Sequence, residues 1–354
     1  MNNLSDSGRN HEDDNISHIL EEPHIKLKKS QAINTINMCL GPKGFSASGG
    51  LSHYNYQYWT RDMCYSFPAL NMLGLTYNAK QQIDQIIRFI KNGQVPTLFF
   101  EFPRRFSSSP KFTDQLDNEL LMINLLQHLK MDDFIQKIWK YVESQIGKDG
   151  FLYGRDWRDG MSIYKNKASL HNQVLLYHVY QKEKKEEFKK RVFEKFWLED
   201  KNHYADWISK EGNRSSHLDV LGHAMALIHD FIPESRIKTI EKSIAGASTK
   251  YGYVNIYPRY PCYDCSWWGL IPKNLYQNGG IWGLVQGHMI LALLHLNQID
   301  KAVDQFWIMT KWRGFNEWYD PKTGKPKGSR NQLWTAALWL MCYQEFFERS
   351  RQIT

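Results

Sequence analysis

Residues 151–161 hold the densest set of chemically reactive side chains in the sequence, with two acids and two arginines among aromatic residues and two glycines. Two other stretches place acids beside aromatic side chains, namely Trp59-Thr60-Arg61-Asp62 and Asn316-Glu317-Trp318-Tyr319-Asp320. A tryptophan or tyrosine ring can stack on the apolar face of a sugar while its polar edge reaches a hydroxyl group. Carboxyl groups next to such rings therefore indicate a site that binds a carbohydrate.

Cleavage of a glycosidic bond requires one protonated carboxyl group for the leaving oxygen and one carboxylate that activates water or attacks the sugar. The candidates lie in predicted loops or at loop–helix junctions, and they are Asp62, Asp156, Asp159, Glu317 and Asp320. Residue types alone leave other interpretations open. Asp62 could cap a helix, and the acids and arginines of residues 151–161 could brace their own loop.

The elements that must position these acids are helical. Periodicity predicts about twelve helices and almost no β-strand alternation, at residues 31–40, 63–73, 79–91, 114–129, 133–145, 167–180, 186–198, 217–228, 234–245, 281–296, 299–311 and 331–349. Short connections alternate with long ones, as expected for antiparallel helix pairs stacked side by side. We therefore predict an all-α fold, a single (α/α)6 barrel of six helical hairpins over residues 31–354, with long loops on one face. Residues 1–30 are predicted to form a flexible polar arm.

The long loops are rich in tryptophan. They contain Trp157, Trp207, Trp267, Trp268 and Trp318, and Trp59 and Trp282 lie at the starts of predicted helices. Each ring could simply pack its loop onto the barrel. Their concentration at one end favours a sugar-binding cleft.

Several motifs resemble, in order and spacing, those of glycosidases with six-hairpin barrels. These are notably the glucosidase domain of glycogen debranching enzyme (amylo-alpha-1,6-glucosidase), the neutral and alkaline invertases and, more distantly, the trehalases. The matching segments are Tyr58-Trp59-Thr60-Arg61-Asp62, Trp157-Arg158-Asp159-Gly160-Met161, Asn278-Gly279-Gly280-Ile281-Trp282, Glu317-Trp318-Tyr319-Asp320 and Gln332-Leu333-Trp334-Thr335-Ala336-Ala337.

The resemblance implies an inverting glycoside hydrolase in which Asp159 is the general acid and Glu317 the general base. Asp156 remains the alternative acid, because the invertases show a D-R-R-M pattern in this segment. The implied substrate-binding residues are Tyr58, Trp59, Arg61, Asp62, Asp156, Trp157, Arg158, His171, Gln173, Asn278, Trp282, Trp318 and Trp334. Because the chain lacks the large accessory domains of debranching enzymes, the expected substrate is a small α-linked glucoside or oligosaccharide.

The overall composition bears on the other classes of function. The formal charge of +8 is spread over helices in which Lys and Glu alternate, and no nucleic-acid-binding motif accompanies it. Five cysteines without an apolar leader favour a cytoplasmic protein, and the Cys262–Cys265 pair lacks the second pair that zinc would need. No run is apolar enough for a membrane helix. We expect a small carbohydrate as partner and no metal, cofactor, nucleic acid or membrane, while the oligomeric state stays open.

The alternative function is a barrel of the same shape that binds carbohydrate without hydrolysis, or converts it as a phosphorylase or epimerase. Phosphorolysis would need a phosphate site in place of Glu317, and epimerisation would depend on histidines. The presence of Glu317 next to aromatic residues favours hydrolysis.

Overall fold

The computed structural model describes residues 19–102, 105–109, 115–261 and 275–353. Cys262, Cys265, Trp267 and Trp268 lie outside these residues. The described part of the chain contains twelve long α-helices. They are α1 (Pro23–Cys39), α2 (Thr60–Met72), α3 (Thr76–Phe89), α4 (Asp117–His128), α5 (Asp132–Gln145), α6 (Leu170–Val179), α7 (Lys182–Phe196), α8 (Val220–Ile228), α9 (Glu234–Ala245), α10 (Gly283–His295), α11 (Ile299–Thr310) and α12 (Leu333–Ile353).

Six of these helices form a closed inner ring. Helices α2, α4, α6, α8, α10 and α12 each pack against the next, and α12 packs against α2. Neighbours on both sides explain why α8 and α10 are apolar almost throughout, whereas outer helix α7 buries one stripe, Phe188, Val192 and Phe196. The predicted all-α (α/α)6 barrel is confirmed. Within the described residues, no helix is both long and apolar enough to cross a membrane.

The connections alternate in length as predicted. Short turns join α2 to α3, α4 to α5, α6 to α7, α8 to α9 and α10 to α11, while the connections between hairpins are long. The loops contain a 3₁₀ turn (Ser162–Tyr164) and short strands. The strands are β1 (Leu40–Gly41), β2 (Gly44–Phe45), β3 (Gln57–Trp59), β4 (Leu98–Phe102), β5 (Arg105–Ser109), β6 (Ala168–Ser169), β7 (Trp197–Leu198), β8 (His203–Tyr204), β9 (Trp207–Ile208), β10 (Leu218–Asp219), β11 (Ser248–Thr249), β12 (Gly252–Tyr253), β13 (Ile256–Tyr257), β14 (Ile281–Trp282), β15 (Trp318–Tyr319) and β16 (Pro326–Lys327).

Antiparallel pairing between these strands ties one loop to the next. Strand β15 lies between β14 and β16, and β14 leads directly into α10. Glu317 immediately precedes β15, so the backbone on its carboxyl side is fixed against an inner helix. Strands β6 and β9, and β10 and β13, link other loops in the same way.

The N-terminal helix begins earlier than the sequence predicted. Helix α1 starts at Pro23 rather than at residue 31, and it packs against α12. Ile19, Ile25 and Lys28 are buried. The flexible arm predicted to reach residue 30 is therefore wrong for residues 19–30. The sparse apolar residues of this segment sit at positions that face the last helix, and their number was too small to show as a periodic pattern.

Candidate active site

Asp159 lies in the long loop between α5 and α6, and hydrogen-bond donors approach its carboxylate from three directions. Arg61 Nη2 and Gln115 Nε2 donate to Oδ2 at 3.2 and 2.9 Å, and Gln277 Nε2 donates to Oδ1 at 3.1 Å. The side chain is still 30% exposed. The protein thus fixes the direction of this carboxyl group while leaving it open to a ligand.

The backbone around Asp159 is held by the same side chains. Gln277 Nε2 and Arg61 Nη1 both donate to the carbonyl of Trp157, at 2.9 and 2.6 Å. Gly160 N donates to Gln277 Oε1 at 2.8 Å. Gln115 and Gln277 were not found by sequence reasoning, because single glutamines in loops carry no motif.

Glu317 lies in the loop between α11 and α12 and is 5% exposed. Its Oε1 accepts hydrogen bonds from the hydroxyls of Tyr54 and Tyr276, at 3.2 and 2.6 Å, and its Oε2 accepts one from Ser329 N at 2.9 Å. Burial raises the pKa of Glu317, whereas these donors lower it. Gly328 has a φ of +66°, and a Cβ there would lie 2.2 Å from Glu317 Oε2, so this turn requires glycine.

The negative charges of Asp159 and Glu317 both raise the pKa values of Tyr54 and Tyr276. Burial raises the pKa of Tyr54, and the negative charges of Glu317 and Asp159 raise it further. The pKa of Tyr276 is raised by burial and then by the charges of Glu317, Tyr54 and Asp159. Both hydroxyls therefore stay protonated and can donate. Tyr276 donates to Glu317 and the next residue, Gln277, donates to Asp159, so loops from different hairpins bring these two carboxyl groups to the same short segment.

Asp62 contributes a third buried carboxyl group. It belongs to the first turn of α2, whose N-cap is Trp59, so the helix-cap interpretation of Asp62 is wrong. Gln332 Nε2 donates to Asp62 Oδ1 at 2.8 Å. Burial raises the pKa of Asp62 to about 8, although the charge of Arg61 lowers it, and the charge of Glu317 raises it further. Burial thus favours the neutral form of this carboxyl group.

Comparison with known protein families gives a match to part of the chain. Residues 180–335 match the family model described as mannosylglycerate hydrolase MGH1-like glycoside hydrolase domain. The match covers less than half of the chain, and together with the barrel fold it supports a glycosidase. No curated protein sequence matches the glycosidase significantly.

Solved structures share the fold of the glycosidase along nearly its whole length. A GH63 mannosylglycerate hydrolase from Thermus thermophilus, in complex with glucose, is 14% identical with a TM-score of 0.67, covering 91% of this chain and 100% of that one. A novel alpha-amylase from Clostridium perfringens is 13% identical with a TM-score of 0.59, covering 92% and 99%. At these identities the likeness concerns the fold.

Asp156 and Arg158 of the glycosidase lie in a buried ion network away from the cleft. Arg158 contacts Asp156, and it donates to Asp206 at 2.9 Å and Asp219 at 3.1 Å. All four side chains are fully buried. Burial alone would raise the pKa of Asp156, but Arg158 lowers it to about 2. The predicted contacts of Asp156 and Arg158 with substrate are thus wrong, and the loop-bracing interpretation is the correct one.

Removal of the arginine at the centre of this network should be strongly destabilising. We expect Arg158→Met to lower the free energy of unfolding of the glycosidase by about 3–5 kcal/mol, because three carboxyl groups would remain buried without it. Urea unfolding monitored by circular dichroism measures the loss. Arg191→Met breaks an exposed pair with Glu187, 36% and 76% exposed, and should cost less than about 1 kcal/mol. Similar losses in both variants would contradict this account of the network.

Four other predicted contact residues have no exposed surface. Tyr58, Trp157, His171 and Gln173 are fully buried, so direct contact with substrate is wrong for them. Gln173 accepts a hydrogen bond from Leu152 N and donates one to Leu152 O, both at 3.0 Å, which fixes the start of the acid-bearing loop. His171 bonds to Tyr65, and burial lowers its pKa to about 4, so it is neutral.

Two further residues of the glycosidase also support the site from behind. Trp282 is 1% exposed and donates from Nε1 to the carbonyl of Tyr276 at 2.9 Å. Asn278 accepts a hydrogen bond from Tyr260 N at 2.8 Å and donates one to Tyr260 O at 2.9 Å. These bonds turn both side chains toward the protein, and their contact with substrate stays a prediction. Their role is to hold the segment that carries Tyr276 and Gln277.

Three tryptophans keep some surface at the cleft. Trp59 is partly exposed and packs edge-on against Tyr54 with ring centroids 5.9 Å apart. Trp318 and Trp334 are 5% and 6% exposed. Within the described residues, the indole N–H of Trp334 is buried without a hydrogen-bond partner.

Asp320 does not belong to the cleft. Its Oδ1 accepts hydrogen bonds from Lys322 N and Thr323 N, both at 2.9 Å, and these bonds are exposed. The side chain anchors a turn. Asp320 as a candidate catalytic acid is therefore wrong, although the turn it forms lies just after Glu317.

The buried Asp62 predicts a pH dependence of stability in the glycosidase. Its pKa in the folded state, about 8, is above its ordinary value of 3.8, so folding favours the neutral form. That stabilisation is complete below pH 4 and is lost as the pH rises through 8. Between pH 4 and 8 the free energy of unfolding of the wild type should fall by an amount on the order of a few kcal/mol because of this group. Asp62→Asn mimics the neutral acid, so the variant should not show this fall. Parallel unfolding curves for wild type and variant across this window would contradict the prediction.

Proposed function

We propose that this chain is an inverting, exo-acting glycosidase that hydrolyses small α-linked glucosides or oligosaccharides, with Asp159 as general acid and Glu317 as general base. The observation that carries the proposal is that neighbouring residues bind the two carboxyl groups, Tyr276 that of Glu317 and Gln277 that of Asp159, while Asp156 and Asp320 are engaged elsewhere. Asp159 comes from the loop after α5 and Glu317 from the loop after α11. Two acids from opposite loops can lie on either side of a sugar ring, which is what displacement with inversion requires.

The donors around Glu317 indicate where the attacking water binds. A carboxylate oxygen has two lone pairs, and those of Oε1 are both used by Tyr54 and Tyr276. Oε2 accepts one hydrogen bond, from Ser329 N, and can take a second. A water on Oε2 would give its proton to Glu317 as its oxygen attacks the anomeric carbon. Asp159 would give its proton to the leaving oxygen, so the products are the inverted sugar and the free aglycone alcohol.

A neighbouring cavity favours a small aglycone. It measures about 370 Å³ and is lined by Gly49, Leu51, Ser52, His53, Gly328, Ser329, Arg330 and Asn331. Ser329 also binds Glu317, so the cavity adjoins the base. The segments that line it are fastened together, because Ser52 Oγ lies 2.7 Å from Ser329 Oγ and donates to Arg330 O at 2.8 Å. A braced wall of this kind offers a defined surface to the aglycone of a short substrate.

The chemistry of this wall adds glycerate conjugates to the substrates to be tested. His53 and Arg330 are basic and line the cavity. The matching family model is named after a mannosylglycerate hydrolase. The aglycone of mannosylglycerate carries a carboxylate. A carboxylate is attracted to such side chains. Mannosylglycerate and glucosylglycerate therefore belong beside the neutral disaccharides.

Sugar release from a panel of defined substrates tests the proposal. The panel contains sucrose, trehalose, maltose, isomaltose, kojibiose, nigerose, glucosylglycerate and mannosylglycerate. Release of a free sugar from one α-linked member, with the β-anomer appearing first in the proton NMR spectrum, is the expected result. An α-anomer as the first form of the sugar whose anomeric carbon is attacked would overturn inversion; with trehalose, inversion gives one β-glucose together with the α-glucose of the leaving group. Heat protection by a sugar without turnover would identify a carbohydrate-binding protein, and phosphate-dependent cleavage would identify a phosphorylase.

A further inference from the structure

Lys28, near the middle of α1, is a buried lysine whose ammonium group is used on the segment that precedes Glu317. The residue is 4% exposed. Its Nζ donates to the carbonyls of Trp312 and Gly314, at 2.6 and 3.2 Å, and lies 4.4 Å from the ring centroid of Phe315. In the part of the chain that the structure describes, no carboxylate lies within 4.0 Å of this nitrogen.

The same segment is joined to Glu317 by further hydrogen bonds. Tyr319 Oη donates to the Gly314 carbonyl and accepts from Asn316 N, both at 2.9 Å. Thr335 Oγ1, at the start of α12, donates to Asn316 O at 3.0 Å. Lys28 and Tyr319 therefore both donate to the carbonyl oxygen of Gly314. Tyr319 also binds the backbone N–H of Asn316, the residue before Glu317.

A buried ammonium group is a costly way to fill space. Burial lowers the pKa of Lys28 to about 8, and an apolar side chain of similar length would avoid that desolvation. What an apolar side chain cannot do is hold two carbonyl oxygens in a defined direction. A base needs such definition, because a displacement of about 1 Å at a catalytic group can cost a hundredfold in rate.

We propose that Lys28 is a positioning residue for Glu317, acting through the carbonyls of Trp312 and Gly314. This inference rests on the proposed role of Glu317 as general base. Helix α1 is then part of the machinery that sets the geometry of the active site, although it contributes no side chain to the cleft.

Kinetic comparison of Lys28→Met with Lys26→Met tests the inference. Lys26 lies on the exposed side of the same helix, 57% exposed, and its replacement should leave turnover unchanged. Lys28→Met should lower kcat by about ten- to a hundredfold with KM changed less than about threefold, because the base is misplaced while the rest of the cleft is intact. Full kcat in folded Lys28→Met would overturn the inference.

A second background separates positioning from a general structural effect. In Glu317→Ala, azide can take the place of the attacking water, because this anion needs no base, and its attack on the anomeric carbon of α-D-glucosyl fluoride or α-D-mannosyl fluoride releases fluoride and gives the β-azide. Adding Lys28→Met to Glu317→Ala should leave this azide-dependent rate unchanged, since no carboxylate remains to be positioned. An equal loss in both backgrounds would overturn the inference. Absence of azide rescue in Glu317→Ala alone would instead count against the proposed function. If Lys28→Met does not fold, Tyr319→Phe, which removes the second donor to Gly314, is put through the same two backgrounds with the same outcomes.

Discussion

Replacement of Glu317 by Gln should lower kcat for hydrolysis by about 10²- to 10⁴-fold, because the amide cannot take a proton from the attacking water. The change is isosteric, and the amide oxygen can still accept from Tyr54 and Tyr276, whose bonds to Oε1 measure 3.2 and 2.6 Å. KM should therefore change little. Steady-state kinetics on the substrate that the panel identifies gives both constants.

The control for this variant lies three residues away. Asp320→Asn alters an exposed carboxylate whose role is to anchor a turn, and it should keep wild-type turnover. The β-azide formed by Glu317→Ala from a glycosyl α-fluoride would further show that the lost group acted on the nucleophile. Near-normal hydrolysis by Glu317→Gln would rule out this residue as the base.

Replacement of Asp159 by Asn should produce a loss that depends on the leaving group. For an alcohol leaving group, kcat should fall by about 10²- to 10⁴-fold, because the amide cannot donate a proton to the departing oxygen. Fluoride leaves without such a proton, so the rate on the glycosyl fluoride should remain close to that of the wild type. The ratio of the two rates measures the contribution of the acid separately from binding.

Asp156→Asn is the matched control for the position of the acid. Asp156 is fully buried against Arg158, and its replacement should reduce stability while sparing turnover per folded molecule. An Asp159→Asn variant that hydrolyses alcohol glycosides normally, beside an inactive but folded Asp156→Asn, would show that the acid lies three residues earlier. The azide experiment on Glu317→Ala would not be affected by that outcome.

Much of the fold could be predicted from the sequence, because each helix has its own periodic signal. Inner helices such as α10 are apolar nearly throughout and outer ones such as α7 carry a narrow apolar stripe, and both patterns are local. Helix α1 was placed too late in the chain, since residues 23–30 are mostly polar and one of the side chains they bury is the amino group of Lys28. In the sequence alone, a lysine that will be buried cannot be distinguished from one that stays in solvent, because its partners lie far away along the chain.

The site could be predicted in part. Asp159 and Glu317 are found by motifs, but a motif does not say which of two neighbouring acids faces the cleft. That choice depends on Asp206 and Asp219, which bind Arg158 from other loops and draw Asp156 into the interior with it. Long-range contacts also explain why the sequence did not indicate four further residues around the two acids, Gln115, Gln277, Tyr54 and Tyr276. Their importance arises from long-range contacts between common residue types.

The closure of the ring has a consequence for biosynthesis. Lys28 contacts Trp312 across 284 positions of sequence, and α1 and α12 complete the barrel against each other. Helical hairpins can form as they leave the ribosome, whereas contacts between distant segments wait for both partners. Until α12 has emerged, the ring of inner helices is open and α1 lacks the helix against which it packs. A nascent chain is thus unable to assemble the candidate site before α12 has emerged.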